Sequence, residues 1–251
     1  MSQPVALQPR QDSQIVRPTR TGSDRLEIVV GGETFALQHH KGETDDQLYV
    51  WAQERKVLAV ADYYQGFLPN AGNGNRAQRY VKEWAVGLRE VAELKAAFLT
   101  PAHGDAIAGS AAIHKELSIL AEALESICNQ TIMGLYKGIR KDLLVVSIAL
   151  PDRLANQYSL REQYVTTKDI SKMIIKRYTG WWGDIPSHWS PAPIASHSKL
   201  ITVLAGGTQA LVDSTREVLV TDLVLASHMP ERAYLANPYN PLSQQLIIDV
   251  Y

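Results

Sequence analysis

His39-His40-Lys41-Gly42-Glu43-Thr44-Asp45-Asp46-Gln47-Leu48-Tyr49-Val50-Trp51 runs from a crowded polar turn straight into a strand-like apolar stretch. Imidazoles and carboxylates at such an edge could ligate a divalent ion, although a solvated turn is the better reading on spacing alone. Upstream, Leu26 to Val30 and Glu33 to Leu37 flank Gly31-Gly32. Two β-rich runs around a two-residue loop that tolerates positive φ predict a hairpin. Downstream, Gln47 to Trp51 and Lys56 to Ala61 read as two more strands, separated by the polar Gln53-Glu54-Arg55. The second ends on Asp62, either a functional group presented at a strand end or the N-cap of the next turn.

A Gly/Asn-rich loop from Gly66 to Asn75 follows, then a helical stretch from about Arg76 to Lys95. The short apolar segment Ala96 to Leu99 leads into Thr100-Pro101-Ala102-His103-Gly104-Asp105, which delivers a histidine just beyond a strand. Beyond Gly109 the period changes. Ile113, Leu117, Leu120, Leu124 and Ile127 are spaced 4-3-4-3, an apolar helical stripe extending to about Tyr136. Further helices fit Lys141 to Ile148, Thr167 to Tyr178, Ile194 to Ala205 and Thr208 to Val220, with Pro and Gly clusters between them. Met1 to Gly22 reads as a polar, poorly ordered leader without the apolar core of a secretory signal.

The composition narrows the function classes. The chain has 251 residues, 45% of them hydrophobic, enough for one large or two modest domains. Its 25 Lys+Arg against 26 Asp+Glu give a net charge of −1, with no electrostatic footprint for nucleic acid. The longest apolar runs, such as Leu143 to Val146, fall far short of the ~18 residues of a spanning helix. A lone Cys128 excludes an internal disulfide and a Cys-rich zinc module, leaving His and carboxylates as metal ligands. Cytoplasmic residence is the default reading, with a periplasmic one open for a longer relative.

Taken in order, Gly42-Glu43-Thr44-Asp45-Asp46-Gln47, the strand ending at Asp62 and Pro101-Ala102-His103-Gly104 resemble the alkylsulfatase branch of the metallo-β-lactamase-fold hydrolases. The resemblance continues through Asn129-Gln130-Thr131, Leu150-Pro151, Tyr178-Thr179-Gly180-Trp181-Trp182-Gly183-Asp184-Ile185-Pro186, Pro191-Ala192-Pro193 and Leu204-Ala205-Gly206-Gly207. It implies an α+β chain: residues 23–110 as the C-terminal half of a metallo-β-lactamase-like αββα sandwich, and 111–251 as an all-helical dimerisation domain. Full-length relatives of this branch hydrolyse alkyl sulfate esters of the dodecyl sulfate type with two zinc ions.

Carried over by residue, the resemblance makes Glu43 a ligand of one zinc, Asp62 the bridging carboxylate and His103 a ligand of the second. It makes Asn70 and Arg76 sulfate contacts, with Arg79 nearly equivalent to Arg76. A planar guanidinium fork suits a tetrahedral oxyanion. The chain departs from the family at Ala61-Asp62-Tyr63, where many relatives have Gly-Asp-Asn, at Gly66 and at Lys41. The superfamily's H-x-H-x-D-H cluster is absent, so each zinc would find about two protein ligands here, short of the three of a catalytic site.

The expectation is therefore part of a metal-dependent sulfuric ester hydrolase, completed by a missing segment or a separate chain, forming a homodimer and acting on a small alkyl sulfate. The alternative is a non-catalytic dimerisation or scaffold protein retaining a remnant of the fold. Trp181, Trp182, Trp189, Tyr178 and Tyr164 could line a groove, but helix packing is the favoured reading. His114, His188, His197 and His228 read as structural or exposed.

Overall fold

The computed structural model describes residues 16–74 and 77–251. Contacts divide the chain into two compact units, residues 1–181 and 182–251. The first contains a six-stranded sheet in sequential order: β1 (Arg25–Val30), β2 (Glu33–His39), β3 (Leu48–Ala52), β4 (Val57–Ala61), β5 (Phe98–Pro101) and β6 (Ile107–Ala108). All neighbours are antiparallel except β4 and β5. These two are parallel because the helix α1 (Val81–Ala92) carries the chain back between them. The β1–β2 hairpin turns on Gly31 and Gly32 at φ of 62° and 84°, with Val30 opposite Glu33. That is the left-handed pair a two-residue hairpin needs.

Alternation along β4 explains how the sheet meets its helices. Leu58 and Val60 are fully buried, whereas Val57 and Ala59 are only half-buried. With Leu99 of β5 they share one apolar core with Trp84, Leu88 and Val91 of α1. The 27-residue α2 (Ser110–Tyr136) packs along α1. Its five predicted stripe residues are each at most 2% exposed. The shorter helices α3 (Lys141–Ser147), α4 (Asp152–Ala155) and α5 (Thr167–Thr179) follow, with a 3-10 turn at Tyr158–Leu160. Thr166 and Asp169 close a reciprocal capping box at the start of α5.

The helix expected from about Arg76 begins instead at Val81. Arg79 N donates to Ala71 O and Tyr80 N to Gly42 O, both at 3.0 Å, so these residues spend their amides on loops and stay outside the helix.

The second unit is helical: α6 (Ile194–Leu204), α7 (Thr208–Leu219), α8 (Leu223–Ala226), α9 (His228–Ala236) and α10 (Pro241–Val250). Its buried positions are few and small. They include Leu211, Val212, Ala226, Ala233 and Leu246 together with Ser198, Thr202, Thr215 and Ser243. No helix among the described residues is long and apolar enough to cross a membrane. The packing role expected for the aromatics is corrected in part: Tyr164, Tyr178, Trp181 and Trp189 are each at least half exposed. They sit in loops and at helix ends, where a ring has little neighbouring surface to bury against. Of the leader, residues 16–22 are exposed and without helix or strand, and the remainder lies outside the described residues.

Candidate active site

Strand direction brings three distant segments to one end of the sheet. β4 and β5 run parallel with Ala61 beside Pro101, so Asp62 and His103 leave the sheet at the same edge. β3 is antiparallel to β4, so the loop that enters it, residues 40–47, opens at that edge as well. Glu43, Asp62 and His103 thus converge although sixty residues separate the first and last.

Each is held by identifiable contacts. In the β2–β3 loop, His40 N donates to Gln47 O at 3.1 Å and Glu43 N to the Gln47 side-chain oxygen at 2.5 Å. A Cβ on Gly42 would stand 3.0 Å from that oxygen and 3.1 Å from the Tyr63 ring, so a larger residue would crowd the segment that presents Glu43. His39 Nε2 meets Asp45 O at 2.7 Å and closes the turn, while His40 pairs with Glu90 at 2.6 Å. Lys41 turns onto the Tyr80 ring, away from the site. Ala61 has φ of 46°, the left-handed region that favours glycine, at the irregular end of β4. No helix starts at Asp62, so its N-cap reading is replaced by side-chain contacts. Its carboxylate accepts from Gln65 Nε2 at 3.0 Å and lies 3.2 Å from His103 Nε2.

Glu43, Asp62, His103 and Asn70 all line one cavity of about 330 Å³, with Gln65, Phe67, Arg79, Gln163 and Tyr164 completing its wall. Arg76 lies outside the described residues. Among the described residues Arg79 is the arginine that lines the site: Nη2 is 2.5 Å from Glu43 Oε1, and Nη1 donates to Asn70 O. Asn70 Oδ1 accepts from Gly72 N at 3.0 Å, which leaves the side-chain amide hydrogens to face an anion.

Glu43 carries the most unusual electrostatics. Burial, then the neighbouring Asp62, raise its carboxyl above the ordinary carboxylate range, against the opposing pull of Arg79 and His103. Among the described residues its Oε2 is buried without a hydrogen-bond partner, a costly state for an ionised oxygen. A proton or a cation would relieve it, as expected where two carboxylates crowd together.

Oxygen and imidazole donors are suitable types for Zn²⁺. Their number is not sufficient. Among the described residues no three His, Cys, Asp or Glu side chains form a group that could hold a metal ion. Glu43 is engaged by Arg79 and Asp62 by His103 and Gln65. The donor set of this chain is therefore a partial fit to the two-zinc site that the sequence resemblance implies.

Gln65, Phe67 and Gln163 were not legible as site residues, whereas Tyr164 could be read as a groove-lining ring. Gln163 and Tyr164 come from a loop after α4, about a hundred positions beyond Asp62.

Residues 142–251 match the family model described as alkyl sulfatase dimerisation. The chain is 29% identical over 199 residues to a linear primary-alkylsulfatase of Pseudomonas, covering 78% of this chain and 38% of that protein. It is 21% identical to an alkyl/aryl-sulfatase of Saccharomyces cerevisiae, covering 89% of this chain and 35% of the other. Among solved structures, a stereoselective inverting sec-alkylsulfatase from Pseudomonas superposes with a TM-score of 0.85 at 19% identity, over 92% of this chain and 37% of that one. A double mutant of a sec-alkyl sulfatase gives a TM-score of 0.87 at 19% identity, over 94% of this chain and 38% of the other. The chain spans little more than a third of the length of the curated relatives it matches.

Proposed function

We propose, on the premise that this chain is a relative of the alkylsulfatase branch of the metallo-β-lactamase-fold hydrolases, that it supplies one side of a sulfate-ester hydrolase site. The observation that carries this reading is the convergence of Glu43, Asp62, His103, Asn70 and Arg79 on one cavity. Glu43, Asp62 and His103 contribute part of the ligand set for two zinc ions. The remaining ligands come from a segment carrying H-x-H-x-D-H, in the same polypeptide or in another chain.

The chain's own residues account for anion binding. Arg79 offers a planar fork of N–H donors matched to two sulfate oxygens, and the Asn70 amide adds a further donor. To meet a sulfate, the guanidinium shares or exchanges the Glu43 oxygen it now holds at 2.5 Å. Asp62 fixes the orientation of the His103 ring through the 3.2 Å contact. The substrate class is an alkyl sulfate of the dodecyl sulfate type, and the helical region that matches the dimerisation model supports a homodimer.

The test compares this chain with a version that includes an H-x-H-x-D-H segment. The chain alone is expected to bind zinc weakly and leave decyl sulfate intact, whereas the completed protein hydrolyses it and loses at least about 100-fold in rate on Glu43→Ala, Asp62→Ala or His103→Ala. Stoichiometric zinc with decyl sulfate turnover by the chain alone would contradict the shared-site reading. Unchanged function of the completed protein after all three substitutions would favour a scaffold, a reading supported here by the Arg79–Glu43 and Asp62–His103 pairs, which need no metal.

A further inference from the structure

Part of the cavity wall is built by a loop, residues 161–166, that carries Gln163 and Tyr164. Arg161 stands at the start of the loop that leads from the 3-10 turn to α5. Its carbonyl accepts from Leu68 N at 3.3 Å, and its Nη1 donates to Gly66 O at 2.5 Å and to Tyr158 O at 3.0 Å. Its Nε donates to the Gln163 side-chain oxygen at 3.1 Å. The guanidinium also lies 4.1 Å from the Tyr158 ring centre and 5.8 Å from that of Phe67. One half-buried arginine thus ties segment 66–68, which carries Phe67, to the loop that carries Gln163 and Tyr164. Phe67, Gln163 and Tyr164 are all lining residues of the candidate site.

The far end of the loop is anchored independently. Val165 is buried, Thr167 N donates to Glu162 at 2.7 Å, and the Thr166–Asp169 box starts α5. Between the two anchors lie Gln163, whose side-chain oxygen Arg161 holds, and Tyr164, which is 65% exposed. An aromatic side chain that forgoes burial while lining a cavity has its apolar face available to a ligand.

We propose that Arg161 is a positioning residue, which pins the 161–166 loop against segment 66–68 so that Tyr164 and Phe67 form an apolar rim above the anion-binding floor of Asn70 and Arg79. This rests on the sulfate-ester reading of the site and deepens it: the rim is where the organic part of the ester is held, and Arg161 acts on the ligand only through that rim. Replacing Arg161 by a shorter or uncharged side chain releases the hydrogen bonds to Gly66 O and Gln163 together, whereas the sulfate-facing groups stay in place.

The experiment measures calorimetric affinity of the full chain for inorganic sulfate, ethanesulfonate and hexanesulfonate, below any micelle concentration. In the unsubstituted chain hexanesulfonate is expected to bind at least about tenfold tighter than ethanesulfonate, since each buried methylene contributes up to about 0.8 kcal/mol. Arg161→Met is expected to reduce that chain-length gain below about threefold with sulfate affinity within about twofold of the original. Tyr164→Ala, an exposed position where folding is not at stake, should do the same, and Tyr164→Phe should restore the gain. A full chain-length gain in either Arg161→Met or Tyr164→Ala overturns the proposal, as does equal affinity for the two sulfonates in the unsubstituted chain, which leaves the anion site intact. Absence of binding to sulfate and both sulfonates overturns the sulfate-ester reading and this inference with it.

Discussion

The two compact units differ in how much large apolar side chain they bury. In the sheet-containing unit the large apolar side chains Leu58, Val60, Trp84, Leu99, Leu117 and Leu124 are completely enclosed. In the unit from residue 182 onward, Leu200, Val203, Leu204, Val220, Val224 and Ile248 are exposed, while Ser198, Thr202, Thr215 and Ser243 lie inside. Thr202 and Thr215 satisfy their hydroxyls on the carbonyls of Ser198 and Leu211, four residues back on their own helices. Small interior residues let helices approach closely but bury little apolar area. The first unit therefore derives its stability from its own core, and the second leaves apolar surface of the kind that a partner covers.

That contrast can be broken or sharpened by substitutions of decreasing effect. Trp84→Ala should destabilise the first unit by about 3–5 kcal/mol, since it empties a fully buried site and removes the indole N–H donor of the Tyr63 carbonyl at 3.0 Å. Chemical denaturation monitored by circular dichroism measures it, and a loss below about 1 kcal/mol would mean that the core is not where the stability resides. Gly134→Ala comes next, at about 1–3 kcal/mol, although alanine is normally the better helix former. An added Cβ there would stand 2.1 Å from Leu144 Cδ1, a side chain only 1% exposed and unable to step aside. A stabilised variant would show that α2 and α3 have room to spread.

Ala61→Gly has the opposite sign. Relief of the left-handed backbone at φ of 46° should stabilise the fold by about 0.5–1 kcal/mol after the glycine entropy cost. The thermal midpoint reports it. Smaller still in its effect on the isolated fold is Val224→Asp, an exposed site expected to change subunit stability by under about 0.5 kcal/mol. Sedimentation of the same variant should show the proposed dimer weakened, and an unchanged dimer would place the interface elsewhere.

Protonation offers a further comparison, confined to the site. The folded-state pKa of Glu43 is raised, chiefly by burial and then by Asp62, so the native state binds its proton more tightly than the unfolded chain does. Stability from this group is thus full below the unfolded value of about 4.3 and is lost as pH rises through the folded value. The midpoint of Glu43→Gln relative to the unsubstituted chain should accordingly become more favourable between pH 4 and pH 7. A difference that stays flat across that range would show that Arg79 compensates the charge in full.

The hairpin at Gly31-Gly32, the strands entering at Gln47 and Lys56, and the long α2 stripe were legible because each is a local pattern of period or turn chemistry. Asp62 and His103 were legible as strand-end residues, and Glu43 through its motif. That Arg79 precedes the helix and pairs with Glu43 was not legible, because nothing local shows that Tyr80 N and Arg79 N are drawn onto loops and delay the helix to Val81. Tyr164 was read as packing when it is exposed at the cavity, a difference set by which neighbours surround a ring and not by its sequence context.

By itself the sequence determined the class of the strands β1 to β4 and of the longer helices, and the restriction of any metal donors to His and carboxylates. Those are properties of composition and of spacing along the chain. Only the tertiary structure decided that Glu43, Asp62 and His103 meet at one end of a sheet, that Arg79 holds Glu43, and that Gln163 and Tyr164 line the same cavity. The reason is physical: strand direction and register, with one parallel pair among antiparallel neighbours, bring Asp62 and His103, about forty residues apart, within 3.2 Å, and loop packing does the same for Gly66 and Arg161, 95 residues apart.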